Sequence, residues 1–247
     1  MLKVAIVGGS GGIGRALIRE LKQRDPATTI VATYRSLPTD ALTNSDAGSG
    51  AETDATVQWS RLDVTDETAV AHWMQSLGSV DWLINCVGVL HTNQHQPEKS
   101  IRQFNPDWFM QSMHVNCMPT LLLAKYAHAL LKSSNDPVFA TVSARVGSIA
   151  DNRLGGWHSY RASKAALNMA LKCLAIEWER TLSSAKVLSL HPGTTDTELS
   201  KPFQKRVPES KLFSSQKTAQ YLLEHIADAH KYESGRFIAW DGQTIPW

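Results

Sequence analysis

Tyr160 and Lys164 stand four residues apart, in Tyr160-Arg161-Ala162-Ser163-Lys164. On a helix that spacing puts both side chains on one face, about one turn apart. A free tyrosine has a pKa of about 10 and is a poor base near neutrality. Lowering it by about three units takes roughly 4 kcal/mol. One ammonium within about 4–6 Å, at an effective dielectric near 20, supplies about 3–4 kcal/mol. A cationic oxidised nicotinamide ring would supply the rest. The pair is therefore equipped for proton transfer at working pH. The spacing alone does not decide the matter, because Tyr and Lys at helical spacing often just share a surface.

Two polar residues give the pair context. Ser143 ends a predicted strand, in Thr141-Val142-Ser143-Ala144. Its hydroxyl could hold a substrate oxygen beside the tyrosine, or it could be an ordinary turn residue. Asn116, in His114-Val115-Asn116-Cys117, falls inside a predicted long helix. Asn is unfavourable in mid-helix, so its cost points to a purpose. It could hold a water that relays protons towards Lys164. Otherwise it is a buried Asn satisfied by backbone.

Gly8-Gly9-Ser10-Gly11-Gly12-Ile13-Gly14 separates the first predicted strand from the first predicted helix. Glycines let the backbone approach a pyrophosphate without a Cβ clash, and the helix N-terminus offers free N–H groups there. Two registers overlap. Gly9, Gly11 and Gly14 satisfy GxGxxG, while Gly8, Gly12 and Gly14 satisfy GxxxGxG. A structural turn is the alternative, and the position straight after the first strand favours a dinucleotide site. A site selective for NAD places a carboxylate at the end of the second strand. That end reads Ala32-Thr33-Tyr34-Arg35-Ser36, without a carboxylate. Arg35 could instead fork onto a 2′-phosphate, which favours NADP(H). Asp63 could accept from an adenine amine, or cap the helix beginning near Thr65-Asp66.

Positioning these groups requires an α/β sheet. Short apolar runs at residues 4–7, 30–33, 57–62, 80–85, 138–143, 186–190 and 237–239 read as strands. Helical segments are predicted at 13–22, 67–77, 159–181 and 215–229. Asn105-Pro106 signals an N-cap with proline in the first turn. A long helix follows to about residue 131, kinked at Pro119. Strands alternating with helices predict one domain over residues 1–247. It is a doubly wound Rossmann fold: a parallel sheet of about seven strands with helices on both faces. Residues 37–56 offer little to bury and are expected to form a mobile surface loop. Residues 194–215 follow a strand end, where a substrate-covering loop belongs.

Composition narrows the class. The 247 residues suit one domain, with 43% hydrophobic and 19% charged residues. A net charge of +2 gives no reason to expect nucleic acid. Three cysteines, Cys86, Cys117 and Cys173, make a poor disulfide framework. The histidines show no HExxH spacing, so no metal is expected. The apolar run at the start is too short for a signal core or membrane span, so a cytoplasmic protein is expected.

The ordered set of motifs resembles the short-chain dehydrogenase/reductase family across nearly the whole chain. The set comprises the glycine turn, Asp63, Asn85-Cys86-Val87-Gly88, Asn116, Ser143, Tyr160 with Lys164, and Pro192-Gly193 leading to Thr197. A closer likeness is to the C-factor and Sniffer carbonyl reductase group. It is carried by Ser143-Ala144-Arg145-Val146-Gly147-Ser148, by Gly155-Gly156-Trp157 and by the stretch from His191 to Phe203. The ending Asp241-Gly242-Gln243-Thr244-Ile245-Pro246-Trp247 also fits. The resemblance implies a carbonyl reductase, or the reverse alcohol dehydrogenase, using NADP(H). Tyr160 would be its general acid or base. Lys164 would lower the tyrosine pKa and bind the nicotinamide ribose, Ser143 would orient the carbonyl, and Asn116 would complete a tetrad. It selects the register Gly8, Gly12 and Gly14, with Ser10 and Ile13 beside them on the cofactor. Asp63, Val64, Asn85, Val87 and Gly88 would line the adenine-ribose side. Pro192, Gly193, Thr195 and Thr197 would seat the nicotinamide end. Val7 and Cys86-Val87 depart from common family residues, conservatively in packing. By analogy a homodimer or homotetramer is expected. An NADP(H)-binding signalling or regulatory protein with little turnover is the alternative on the same fold. Trp157, Trp108 and the region from Phe203 to Phe213 could line an apolar substrate pocket, or simply pack beneath a loop.

Overall fold

The computed structural model describes residues 1–36 and 57–247. The expected loop at 37–56 lies outside the described residues. Seven parallel strands form the main sheet: β1 (Lys3–Val7), β2 (Thr29–Tyr34), β3 (Val57–Arg61), β4 (Trp82–Asn85), β5 (Val138–Val142), β6 (Lys186–His191) and β9 (Arg236–Ala239). Their order is β3-β2-β1-β4-β5-β6-β9. The order reverses between β1 and β4, where a doubly wound sheet opens its ligand crevice at the carboxyl ends of the strands.

The strands alternate their side chains between two buried faces, which explains their near-continuous apolar runs. Ala5, Val7 and Leu83 face one core with α2 (Glu67–Ser76), α4 (Met118–Leu131) and α5 (His158–Thr181). Val4, Ile6 and Ile84 face the other, with α1 (Gly12–Arg24) and α6 (Ser215–Ala227). The predicted Rossmann architecture is the one observed.

Between β4 and α4 runs α3 (Pro106–Asn116), capped by Asn105, whose side chain accepts from the Trp108 N–H. The expected kink at Pro119 is a full break. Proline lacks the N–H that the carbonyl four residues earlier would need, so α3 stops at Asn116 and α4 starts at Met118. Asn116 is therefore the last residue of a helix, and the mid-helix cost expected for it is not incurred. The segment after β6 is more ordered than a simple covering loop. It forms a two-strand parallel ladder, β7 (Thr194–Thr195) with β8 (Leu212–Phe213), around two short 3-10 turns. Among the described residues no helix is long and apolar enough to cross a membrane.

Candidate active site

One cavity of about 780 Å³ opens over the carboxyl ends of β1, β4, β5 and β6. On its β1 side, the turn residues Ser10, Gly12, Ile13 and Gly14 line it. The geometry decides between the two glycine registers. Gly8 has φ +77, and a Cβ there would lie 2.9 Å from Val87. A Cβ on Gly12 would lie 2.5 Å from Thr197, and one on Gly14 would lie 2.4 Å from the Gly8 carbonyl oxygen. Gly11 would meet only an ordinary contact at 3.4 Å. Gly8, Gly12 and Gly14 thus all lack room for a side chain, as GxxxGxG requires, whereas GxGxxG is crowded only at Gly9, whose Cβ would lie 2.9 Å from Ala32, and at the shared Gly14. Gly8 lies behind the cavity wall, where the Thr33 hydroxyl accepts from its N–H at 3.0 Å. The first turn of α1 holds no acidic side chain, and its N–H groups lack intrahelical acceptors. These features fit a dinucleotide pyrophosphate.

On the β4 side, Val87 and Gly88 line the cavity. Asn85 does not; it is buried behind them. Its amide donates to Thr120 Oγ1 at 2.9 Å and its oxygen accepts from the Val87 N–H at 3.0 Å, so it shapes the turn from beneath. Asn116 is also behind the wall. Its oxygen accepts from the Val89 N–H at 2.7 Å, and its amide donates to the Val89 carbonyl and the Ser163 hydroxyl, both at 2.9 Å. The backbone-satisfied reading of Asn116 is the one its side chain obeys. It still sits at the site, since a Cβ on Gly88 would be 3.4 Å from both Asn116 Oδ1 and Lys164 Nζ.

At the β5 and β6 ends, Ser143, Tyr160 and Lys164 converge on the cavity. Helix α5 brings the last two there through a buried stripe, Tyr160, Lys164, Asn168 and Leu171, spaced by helical turns. Lys164 Nζ lies 5.9 Å from the Tyr160 ring centre and donates to the Val142 carbonyl at 3.1 Å. Both groups are deeply buried. Burial pulls the Lys164 ammonium down to about 8, with Cys117 and Cys86 acting weakly in the other direction. Burial pushes the Tyr160 phenol above its usual range. Desolvation is a cost that the pairing argument, which also counted a cationic nicotinamide, did not include. An ammonium at about 6 Å contributes roughly 3 kcal/mol at an effective dielectric of 20, and desolvation of the phenol outweighs it here. The protein by itself holds Tyr160 protonated.

Pro192, Gly193, Thr195 and Thr197 complete the β6 side, all lining the cavity. The Thr195 hydroxyl is tied to Thr218 of α6 at 2.9 Å. His191 also lines it, and burial first, then the Arg145 charge, lowers its pKa to about 4.

Besides Gly8 and Asn85, three predicted cofactor residues stand outside the cavity. Arg35 is exposed at the carboxyl end of β2, on the same sheet edge. Asp63 is exposed and accepts from Thr65 N–H and Oγ1 at 2.9 and 2.6 Å, bonds that hold its carboxyl below the usual range. It is not the cap of α2; Asp66 takes that part, accepting from Thr68 and Ala69. Val64 is buried in the core.

The end of the cavity beyond Tyr160 is aromatic. Trp157 and Phe203 line the cavity with ring centres 5.1 Å apart, and Trp157 meets the Tyr160 ring at 6.2 Å. Trp157 has φ +52, a left-handed conformation costly for a bulky side chain. Glu98 holds that strained corner. Its carbonyl accepts from the Trp157 N–H at 2.5 Å, and its buried carboxylate accepts from the Ser159 N–H and hydroxyl. Glu98 was not legible in advance, because it lies in a polar loop without periodicity. Trp108 does not join the pocket: it is buried, stacked on His95 at 5.0 Å. Phe213 packs on Trp240 at 4.6 Å, below Gly193.

Comparison with known proteins agrees with this geometry. Residues 3–208 match the model of the short chain dehydrogenase family. The chain is 26% identical over 259 residues to 1-hydroxy-2-glutathionyl-2-methyl-3-butene dehydrogenase of Rhodococcus sp., covering 100% of both chains. Its fold is similar to that of the carbonyl reductase Sniffer of D. melanogaster (TM-score 0.83, 20% identity, 100% of both chains). It is equally similar to an NADPH-bound carbonyl reductase from chicken fatty liver, with TM-score 0.83 and 22% identity over 99% of this chain and 98% of that one.

Proposed function

The chain belongs to the short chain dehydrogenase family, and from that premise we propose that it is an NADP(H)-dependent reductase of apolar carbonyl compounds with Tyr160 as proton donor. The observation that carries this reading is convergence. Ser143, Tyr160 and Lys164 face the same cavity as the glycine turn that fits a pyrophosphate.

A nicotinamide dinucleotide, when bound, would supply the hydride. The remaining work falls to the chain's own groups. Ser10, Gly12, Ile13 and Gly14 would hold the phosphates at the N-terminus of α1. Arg35, on a strand end without a competing carboxylate, would receive a 2′-phosphate. Asp63 and Val64 would flank the adenine, with Val87 and Gly88 against the ribose. Pro192, Gly193, Thr195 and Thr197 would seat the nicotinamide end. The NADPH-bound chicken carbonyl reductase, which shares the fold, is in keeping with this choice.

In reduction, Tyr160 Oη gives its proton to the substrate oxygen as negative charge develops there. Its raised pKa suits this direction, because the donor form is the one the protein maintains. Ser143 hydrogen-bonds the same oxygen. The Lys164 ammonium stabilises the phenolate left behind. Asn116 fixes the Val89 backbone and Ser163 beneath Lys164. Trp157 and Phe203 exclude water and favour an apolar substrate.

The test is NADPH oxidation across a panel of aldehydes, ketones and quinones, with Tyr160→Phe beside the unaltered protein. Turnover of some panel member that is lost in Tyr160→Phe supports the reading. Tight NADPH binding without any Tyr160-dependent turnover overturns it and favours a binding role.

A further inference from the structure

Asn168 continues the buried stripe of α5 one turn beyond Lys164, and it is 2% exposed. Two serines from adjacent strands meet one end of its amide. Ser143 Oγ lies 2.7 Å from Oδ1, and Ser189 Oγ lies 2.9 Å from the same atom. The other end, Nδ2, is buried without a hydrogen-bond partner. Thr141, the register partner of Ser189 on β5, adds a second unpartnered hydroxyl.

The polarity of this amide decides what Ser143 can do. With oxygen towards the serines, each hydroxyl spends its only hydrogen on Asn168. Ser143 then offers only lone pairs to the cavity and cannot donate to a carbonyl oxygen. Two N–H hydrogens are meanwhile stranded in the core, the rarer kind of buried orphan. Amide oxygen and nitrogen are alike in size, so the surrounding partners select the orientation. A half-turn of the amide gives both serine oxygens an N–H donor. It leaves an acceptor, which is better tolerated, on the side without partners.

We propose that Asn168 is a positioning residue that donates its amide N–H to Ser143, turning the Ser143 hydroxyl hydrogen towards the substrate oxygen beside Tyr160. This rests on the reading that Ser143 and Tyr160 serve a carbonyl. Asn168 touches no substrate; it acts by setting Ser143 as a donor.

The experiment follows kcat for carbonyl reduction against pH in Asn168→Asp, in the natural background and in Ser143→Ala. An ionised carboxylate at this position has no hydrogen to give and draws the Ser143 hydrogen to itself. The expected result is a loss of kcat of roughly ten-fold above neutrality, the scale of one misdirected hydrogen bond. It should recover as pH falls and the introduced carboxylate gains a donor proton, with NADPH affinity unchanged. In Ser143→Ala the same substitution should change kcat by less than about two-fold, because coupled residues are not additive. A pH profile matching the natural protein, or an equal loss in both backgrounds, overturns the proposal. If Asn168→Asp does not fold, Asn168→Ala goes through the same cycle. A kcat loss confined to the Ser143 background supports the proposal, and an equal loss in both refutes it. Tyr160→Phe is measured alongside. Full turnover there breaks the underlying functional reading, whereas an inactive Tyr160→Phe with an unaffected Asn168→Asp breaks only the role of Asn168.

Discussion

Replacing Lys164 with Met is expected to stabilise the protein at neutral pH while removing its activity. Lys164 is 3% exposed, and burial lowers its pKa from 10.5 to about 8. A lowered lysine pKa means that the folded chain binds fewer protons than the unfolded chain between those values. Stability therefore rises with pH across that window, and burying the charge costs most below it. The gap from 10.5 to about 8, at about 1.4 kcal/mol per pH unit, amounts to about 3 kcal/mol. Met removes that cost but forfeits the bond to the Val142 carbonyl, worth about 1 kcal/mol. The net gain is about 2 kcal/mol at pH 7, or about 4–8 °C in Tm for a chain of this size. Near pH 10.5 the lysine is neutral in the folded state and about half neutral in the unfolded one, so the gain shrinks to about 0.4 kcal/mol and the lost bond leaves Met slightly worse. Urea or thermal denaturation without cofactor, at both pH values, reads the difference. A Lys164→Met protein less stable at pH 7, or a difference independent of pH, would refute the desolvation argument.

Three further outcomes are expected. Arg35→Ala should weaken NADPH roughly 10- to 100-fold and NADH little, as fluorescence titration would show, because a charge-assisted phosphate bond is worth about 1.5–3 kcal/mol. Equal losses for both would remove Arg35 from the phosphate. Gly14→Ala should cost about 3 kcal/mol in urea denaturation, since its Cβ would stand 2.4 Å from the Gly8 carbonyl oxygen. An unchanged midpoint would contradict that close approach. The reduction rate should hold below pH 8 and fall as pH rises through about 8, as Lys164 loses the charge that stabilises the Tyr160 phenolate. A flat profile to pH 10 would show that this charge is not needed.

Much of the fold was legible because its signals are local. Asn105-Pro106 encodes a capped helix start without tertiary help, and the strand runs announce themselves by being buried on both faces. The glycine register was harder. Two patterns overlapped, and only neighbours brought close by the fold, Val87, Ala32, Thr197 and Gly8 itself, show which glycines are crowded. Pro119 marked a disruption, but whether it bends or ends a helix depends on how neighbouring groups satisfy the backbone. That distinction placed Asn116 at a terminus. Trp108 and Trp157 looked alike as aromatic candidates. One is stacked in the core and the other held over Tyr160 by Glu98, a partner 59 residues away in sequence. Asn168 was within reach of sequence reasoning, since Tyr160, Lys164 and Asn168 repeat at four residues along one helix face. What it contacts, two serines from different strands, is decided only by sheet register. The desolvation of Tyr160 was not legible, because burial of the phenol is set by the fold around α5.

The most direct test of the account follows a label. NADPH deuterated at the transferable C4 position is incubated with a carbonyl substrate found by the panel, and the product carbinol is analysed by mass spectrometry and NMR. The account predicts one deuterium on the carbinol carbon with the unaltered protein, and a rate at least 100-fold lower in Tyr160→Phe at equal NADPH occupancy, the low end for a general acid. Deuterium transfer at an undiminished rate in Tyr160→Phe would contradict Tyr160 as the proton donor, and product formed without deuterium would contradict hydride transfer from the cofactor.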